Sequence, residues 1–267
     1  MKNKLYIAYF LLTLLVVNTL RTLQLLFLID PTTDFYTSGT NLGVVFTYII
    51  LAFSIVCGLL SIISKNIAVR LPAPSFEFGI IQIFFGLSLA VEPFFSVKLP
   101  ETVSKPLAFV RIALIVASGL IFIYFGVNNF LGKKPKYKYF VVPVICYLIR
   151  LIVTFVCYTG MSNTTSSNYE ILMLSCATVF FLSHGKLLSS IDNSRLRIIT
   201  MLFAVLTALS ASLCSVPQIM LFILKKSSDI HLSVNGIASN LFLFFYSLSY
   251  LFCRESRSTR KYNKIKQ

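Results

Sequence analysis

The chain alternates between eight long apolar stretches and short polar links. Each stretch holds about 18 or more mostly apolar residues, the length an α-helix needs to cross a bilayer core of ~30 Å. The predicted spans are Leu5–Ile29, Leu42–Ser64, Phe78–Val97, Leu107–Phe130, Tyr139–Gly160, Ile171–Ser190, Ile198–Leu224 and Val234–Cys253. Barrel strands alternate apolar and polar residues and these stretches do not, so the predicted fold is an all-α, polytopic integral membrane helix bundle.

Composition agrees with a membrane protein and leaves no room for a soluble domain. Charged residues make up 12% of the chain, about half of the ~25% of a soluble domain, and the mean hydropathy is +0.83. The first stretch is too long for the apolar core of a signal peptide, so we expect it to be retained as a helix. We predict one transmembrane domain over residues 1–253 and a basic cytoplasmic tail over residues 254–267.

The basic residues that give the chain its net charge of +15 are distributed as membrane topology predicts. Lysine and arginine are concentrated in every second link and in the tail, above all in residues 133–138 and 254–267. Cytoplasmic loops carry such an excess, so both termini are predicted to be cytoplasmic, in the cell (plasma or inner) membrane. The basic charge then faces anionic lipid headgroups, and the lipid bilayer, not nucleic acid, is the predicted partner.

An arginine, Arg150, lies near the middle of the fifth predicted span. An arginine at the bilayer centre costs at least ~2.5–3.5 kcal/mol, so it is expected to face protein or water and to have a partner. The same helical face carries Pro143, Tyr147, Thr154 and Tyr158, spaced by three or four residues. This face predicts a ligand pocket around Arg150; the alternative interpretation is an ion pair that packs two helices together.

More charged residues lie in the half of the bundle that this topology turns outward. Arg21, Glu92 and Arg111 fall in the first, third and fourth spans. With Arg150, this half holds three arginines but only one carboxylate that is clearly within the membrane. The surplus positive charge can bind a carboxylate or phosphate of a ligand. Alternatively, Arg21 and Arg111 extend to the headgroups while Glu92 pairs with one arginine. The candidate ligand-binding residues are Arg150, Tyr147, Thr154, Arg21, Glu92 and Arg111.

The seventh span is rich in small residues at helical spacing. Ala204, Ala208 and Ser212 follow one another at intervals of four residues, and Thr207, Ala211 and Ser215 do the same on the adjoining face. Small residues in this pattern let helix backbones approach closely. We therefore predict that the seventh helix is central in the bundle.

A short motif at the end of the seventh span resembles the PQ-loop signature. It reads Ser-Val-Pro-Gln-Ile over residues 215–219, with Lys226-Ser227 and Leu232-Ser233 after it. The resemblance covers only residues 215–233 and occurs once. It implies a carrier of sugars or amino acids built from three-helix bundles, with a proline hinge and a cytoplasmic Lys-Ser loop, whereas our topology places that loop outside. Pro217 and Gln218 are therefore candidate hinge residues of a PQ-loop-like carrier; otherwise Pro217 is a kink.

Little in the sequence points to catalysis. The two histidines, His184 and His231, are far apart, and the aspartates lie in links. We find no glycine-rich phosphate loop and no metal-ligand spacing, so we predict no enzyme, no cofactor and no metal site. The leading hypothesis is a multi-pass membrane protein that binds or transports a small anionic solute at Arg150. The alternative is a non-transporting subunit or sensor that acts through a membrane-protein partner.

Overall fold

A computed structural model of the chain describes residues 2–30, 35–37, 41–63, 76–95, 105–133, 136–160, 165–189, 193–224 and 234–252. Within these ranges the helices are α1 (Lys2–Leu23), α2 (Leu42–Ile63), α3 (Phe76–Phe95), α4 (Lys105–Phe130), α5 (Val141–Gly160), α6 (Thr165–Leu188), α7 (Ser194–Ile223) and α8 (Val234–Phe252). A π-helical turn, Gln24–Leu28, continues α1, and a 3₁₀ turn, Tyr137–Phe140, leads into α5. Ile29 and Tyr36 form an isolated backbone bridge.

Seven of these helices, α1 to α7, are long and apolar enough to cross a membrane. Counted over its described side chains alone, α8 offers a shorter apolar stretch, Gly236–Phe252. Large apolar side chains such as Leu11, Ile55 and Phe109 stay exposed on the outside of the bundle, where lipid solvates them. The prediction of an all-helical, multi-pass membrane protein in contact with a bilayer is confirmed. The eighth crossing and the side of the termini stay predictions, and the tail at residues 254–267 lies outside the described residues.

Six helices form a closed ring. Each helix from α3 to α8 packs against the next in the chain, and α8 closes the ring by packing against α3. The first two helices lie outside it, since α1 and α2 pack against each other and against α7. Neighbours in sequence are therefore mostly neighbours in space, as short links require, whereas the α8–α3 contact is a long-range one.

Helix α7 is the most buried of the seven long helices, which confirms its predicted central position. Ala204, Ala208 and Ser212 are fully buried, as are their neighbours on the adjoining face. Their small side chains let α7 contact four helices, α1, α2, α6 and α8.

Four glycines bring α3 and α4 into backbone contact. A Cβ atom built on Gly86 would lie 2.5 Å from the carbonyl oxygen of Gly119, and one on Gly79 would lie 2.8 Å from that of Gly126. The pairing of an early glycine with a late one makes the two helices antiparallel. Both pairs repeat at seven residues, so they lie on one face of each helix. Only glycine leaves room for this approach.

Two helices begin at least four residues earlier than the apolar stretches suggest. The start of α6 is Thr165, not Ile171, because its polar first turns are held by contacts with other helices: Ser166 accepts a hydrogen bond from Arg21. The start of α7 is Ser194, not Ile198, because the Asn193 side chain caps the helix by accepting from the backbone N–H of Arg195 at 3.2 Å. A search for apolar runs does not detect either kind of contact.

Candidate functional site

The centre of the candidate site is an ion pair between Arg150 of α5 and Glu92 of α3. Nη2 of Arg150 lies 2.9 Å from Oε1 of Glu92, and Nη1 lies 3.2 Å from Oε2. Each residue is only 5% exposed. In the ring α4 separates α3 from α5, so the pair reaches across the ring interior. This two-point contact provides the partner that a midplane arginine needs. The prediction that Glu92 pairs with one arginine is confirmed.

Helix α5 buries the face on which the sequence places the site. Pro143, Tyr147, Arg150 and Thr154 are buried, whereas Leu148 and Ile152 on other faces are exposed. The guanidinium carbon of Arg150 lies 5.6 Å from the ring centroid of Tyr147, within the range of a cation–π contact. The side chain of Tyr158, the last residue predicted on this face, lies outside the described residues. The polar face of α5 therefore points into the protein, as predicted.

A further carboxyl group acts on the pair. Glu170 of α6 interacts electrostatically with Arg150 and Glu92, and also with Arg111 of α4. Ionisable groups from four ring helices thus meet in one region. The Nε–H of Arg150 is buried and finds no acceptor among the described residues. Because an unsatisfied buried donor costs ~1–3 kcal/mol, the site has capacity for one more acceptor atom.

An aromatic plug of Phe85, Phe122, Phe181 and Tyr246 fills the ring beside this pair. The four rings come from α3, α4, α6 and α8, and each is fully buried. Ring centroids lie 4.7 Å apart between Phe85 and Phe122 and 5.8 Å apart between Phe181 and Tyr246. Tyr147 connects the plug to the ion pair, since its ring is 4.8 Å from that of Phe181. The ring interior is therefore closed by packed aromatic side chains.

A small polar cavity lies on the other side of the plug. Gln82, Asn129, Tyr137 and His184 line it, and its volume is about 20 Å³. Along α3 the order is Gln82, plug, Glu92, which places the cavity and the ion pair at opposite ends of the plug. Nδ2 of Asn129 donates to Oε1 of Gln82, and Nε2 of His184 is buried without a partner among the described residues. A cavity of this size and polarity has room for a water molecule.

Arg21 belongs to a different cluster. It is 2% exposed, so the expectation that it extends to the headgroups is wrong. Its Nη1 donates to Gln24 at 3.3 Å and its Nη2 to Ser166 at 3.2 Å, while its guanidinium carbon lies 4.4 Å from the ring centroid of Tyr169. These contacts solvate the buried guanidinium and join the end of α1 to the start of α6. Arg111 is half-buried on α4.

The candidate hinge residues lie inside one uninterrupted helix. Pro217 and Gln218 are both buried in α7, which continues past them to Ile223. The Oε1 atom of Gln218 is buried and finds no partner among the described residues. The motif after them, at residues 225–233, lies outside the described residues. Whether Pro217 acts as a hinge stays a prediction.

Several polar residues of the site were missed in the sequence. Gln82 and Asn129 form the cavity between α3 and α4, and Gln24 and Thr47 are hydrogen-bonded to each other near Arg21. Each is an uncharged polar residue within an apolar stretch, and that signal was available. Charged residues are the stronger signal because they are costly in a bilayer, but a buried amide also requires a hydrogen-bond partner.

The arrangement can hold and shield a charged group. It offers a two-point arginine donor, a buried unused N–H and a competing internal carboxylate. Within the described ranges no three His, Cys, Asp or Glu side chains come together as metal ligands. In comparisons with known proteins, no family model, no curated protein and no solved structure matches this chain.

Proposed function

We propose that the protein binds and carries a small anionic solute through the ring of α3 to α8, with Arg150 holding the carboxylate or phosphate of the solute. The observation that supports this is the two-point pair between Arg150 and Glu92, buried inside the ring. Glu92 offers Arg150 the same carboxylate group that a solute would offer. It therefore acts as an internal anion that occupies Arg150 when no solute is bound, and a solute must displace it.

In this proposal the aromatic plug is the barrier along the path. It separates the Arg150–Glu92 pair from the polar cavity at Gln82, Asn129 and His184, and a tightly packed aromatic layer excludes water and ions. Passage requires the plug to open. Tyr147 contacts both Arg150 and the plug residue Phe181. A change in the pairing of Arg150 can therefore be transmitted to the plug through Tyr147.

The proposed topology has eight spans with both termini in the cytoplasm, in the plasma or inner membrane. Its support is the excess of lysine and arginine in alternate links. In that orientation Glu92, near the end of α3, lies towards the outside, and Gln82 lies towards the cytoplasm. The solute is then taken from the outer side.

The test is thermal unfolding of the detergent-purified protein with acetate, succinate, phosphate or sulfate at constant ionic strength. A solute that binds only the folded state stabilises it by about 2.7 kcal/mol at ~100 times its Kd. We expect one of these anions to raise the Tm in a saturable way and Arg150→Leu to abolish the shift. Glu92→Gln removes the internal competitor, so the same anion should saturate at a lower concentration.

The matched control is the charge exchange Arg150→Glu with Glu92→Arg. It keeps an ion pair in the ring but moves the arginine to α3, so it should remain folded and lose the shift. An anion shift that persists in Arg150→Leu would contradict the proposal. So would equal saturation concentrations in the wild-type protein and in Glu92→Gln.

The alternative is a non-transporting subunit or sensor. The same ion pair supports this alternative if the role of the pair is to join α3 to α5. In that case no anion shifts the Tm, and crosslinking in membranes captures a reproducible protein partner. Loss of that partner on deletion of residues 254–267 would assign the interaction to the basic tail. A PQ-loop-like carrier would instead respond to neutral sugars or amino acids and would depend on Pro217.

A further inference from the structure

A second cavity lies away from the ring interior, between α2 and α6. This α2–α6 cleft has a volume of about 390 Å³ and is lined by, among others, Tyr36, Val44, Thr47, Tyr48, Tyr169 and Leu172. That volume is within the ~300–1,000 Å³ of small-molecule sites. The lining has the usual character of such a site, mostly aromatic and aliphatic with few polar groups. It is separate from Arg150 and does not depend on the function proposed above.

Three polar side chains at the cleft meet at the hydroxyl of Thr47. Nε2 of Gln24 donates to Thr47 Oγ1 at 3.0 Å, and the Tyr169 hydroxyl donates to it at 3.4 Å. The Tyr36 hydroxyl lies 2.5 Å from the same atom. The Thr47 hydroxyl also donates to the backbone carbonyl of Gly43 at 3.2 Å, and in the Thr47–Tyr36 pair either hydroxyl can be the donor. In both arrangements the Tyr36 oxygen keeps at least one lone pair, which can accept a hydrogen bond from a donor in the cleft.

The position of Tyr36 is set by local structure. Gly43, at the start of α2, has no side chain, and a Cβ atom there would overlap the Tyr36 ring. The π-helical turn that begins at Gln24 brings its amide to both Thr47 and the backbone carbonyl of Gly43, the latter at 2.8 Å. Ring and hydroxyl are thus held in place before any ligand arrives, which reduces the entropy lost on binding.

The charges of the described residues favour a neutral occupant. None of the described residues that line the cleft is an acid or a base of formal charge. The Arg21 guanidinium already lies over the Tyr169 ring and would repel a cation in the cleft. An anion would have to leave water for a mostly apolar wall without a cation on that wall, at a high desolvation cost.

Access to the cleft is from the side. Val44 and Tyr48 lie on α2, one of the seven long apolar helices, and are 40% and 68% exposed. Exposed positions within a membrane-spanning helix face lipid. A molecule dissolved in the bilayer can therefore reach the cleft without crossing the protein.

We propose that the α2–α6 cleft binds a neutral, bilayer-soluble molecule that carries a hydroxyl group on a hydrocarbon body. Its hydroxyl group donates a hydrogen bond to the Tyr36 hydroxyl oxygen. Its hydrocarbon lies against Val44, Tyr48 and Leu172. The site is built from the end of α1, the start of α2 and the start of α6, so its occupant also stabilises the contact of α1 and α2 with the ring.

The probe for the test is hexadecanol bearing a diazirine and an alkyne, added to the full-length protein in phosphatidylcholine vesicles. After irradiation, mass spectrometry should find saturable labelling near Tyr48 and Leu172, displaced by unlabelled hexadecanol. Hexadecane, which lacks the oxygen, should displace it at least ~3-fold less well. Tyr36→Phe keeps the ring and removes the hydroxyl, so half-saturation should rise ~2–10-fold, the loss of one hydrogen bond.

Two neighbouring valines supply a matched pair of variants. Val44 lines the cleft, whereas Val45 does not, and they are similarly exposed, at 40% and 46%. Val44→Trp fills the cleft and should reduce labelling at least ~10-fold, while Val45→Trp should leave it unchanged. Non-saturable labelling spread over all lipid-facing helices would overturn the proposal. Equal loss in the two variants, or equal displacement by phosphatidylglycerol, would overturn it as well, since either result describes ordinary lipid.

Discussion

At the residue scale, Arg150 is the position at which burial of a charge is most costly. Its side chain is buried inside the ring, and the charge is balanced chiefly by Glu92. Burying two charges costs several kcal/mol per ion, which their attraction repays only in good geometry. The pair has such geometry, with two hydrogen bonds of 2.9 and 3.2 Å. An apolar pair would fill the same space more cheaply, so we attribute the retained charges to the proposed solute site.

The energetic prediction concerns the removal of one partner or of both. Arg150→Leu leaves a buried, unpaired carboxylate, and Glu92→Leu leaves an unpaired guanidinium, so each should lower the free energy of unfolding by ~3–5 kcal/mol. Arg150→Leu combined with Glu92→Leu should recover most of that loss. Unfolding in mixed micelles measures all three, and Arg195→Leu, at an exposed position, is the control. Losses that simply add in the double variant would show that the two residues act independently.

At the scale of elements, α3 and α4 are in direct backbone contact. Gly79 and Gly86 face Gly126 and Gly119, and the backbones touch where a side chain would otherwise stand. In a bilayer, helices gain little from excluding apolar surface from lipid, so close backbone packing is a main source of association. This contact positions Gln82 opposite Asn129 and Phe85 opposite Phe122, and so it shapes both the polar cavity and the plug.

Glycine-to-alanine substitutions test this contact. Gly86→Ala and Gly119→Ala each place a methyl group within 2.6 Å of a backbone oxygen, which cannot move without displacing a helix. We expect each to cost ~1–3 kcal/mol of unfolding free energy, as overpacked cores do. Gly58→Ala is the control, because its methyl group meets the flexible Leu202 side chain at 2.9 Å. A loss as large in Gly58→Ala as in Gly86→Ala would mean that backbone contact is not the cause.

At the scale of the whole molecule, the six-helix ring explains why the polar groups are found where they are. Helices α3 to α8 enclose an interior that contains the ion pair, the plug and the polar cavity in series. Helices α1 and α2 are attached at α7, and α2 forms the second cavity against α6. The two cavities therefore lie in different places, one within the ring and one outside it.

The topology prediction is tested by labelling single cysteines with a membrane-impermeant maleimide. Cys57, Cys146, Cys176 and Cys214 are buried, and Cys157 and Cys253 are first replaced by serine. Thr37→Cys should react in intact cells, whereas Lys133→Cys and Gln267→Cys should react only after permeabilisation. Reaction of Gln267→Cys from outside, with Lys133→Cys still protected, would mean that α8 does not cross the bilayer.

The site was predicted in part from the sequence. Arg150 and its buried face were predicted from the cost of a midplane charge and from helical spacing, and both are seen. The sequence predicted that Glu92 pairs with one arginine but not which one, since Arg21, Arg111 and Arg150 are equivalent candidates in sequence. Arg21 has other partners because α1 lies outside the ring, and no pattern along the chain indicates which helices form that ring.

The sequence by itself determined that the chain is helical, that it is embedded in a bilayer, and which faces of α5 and α7 are buried. These properties depend on hydrophobicity and spacing, which add up locally along the chain. The tertiary structure alone decided that Glu92 pairs with Arg150, that α8 closes the ring against α3, and that Thr47 joins Gln24, Tyr36 and Tyr169. Such pairings depend on distances between helices, and those distances are set by packing among residues far apart in sequence.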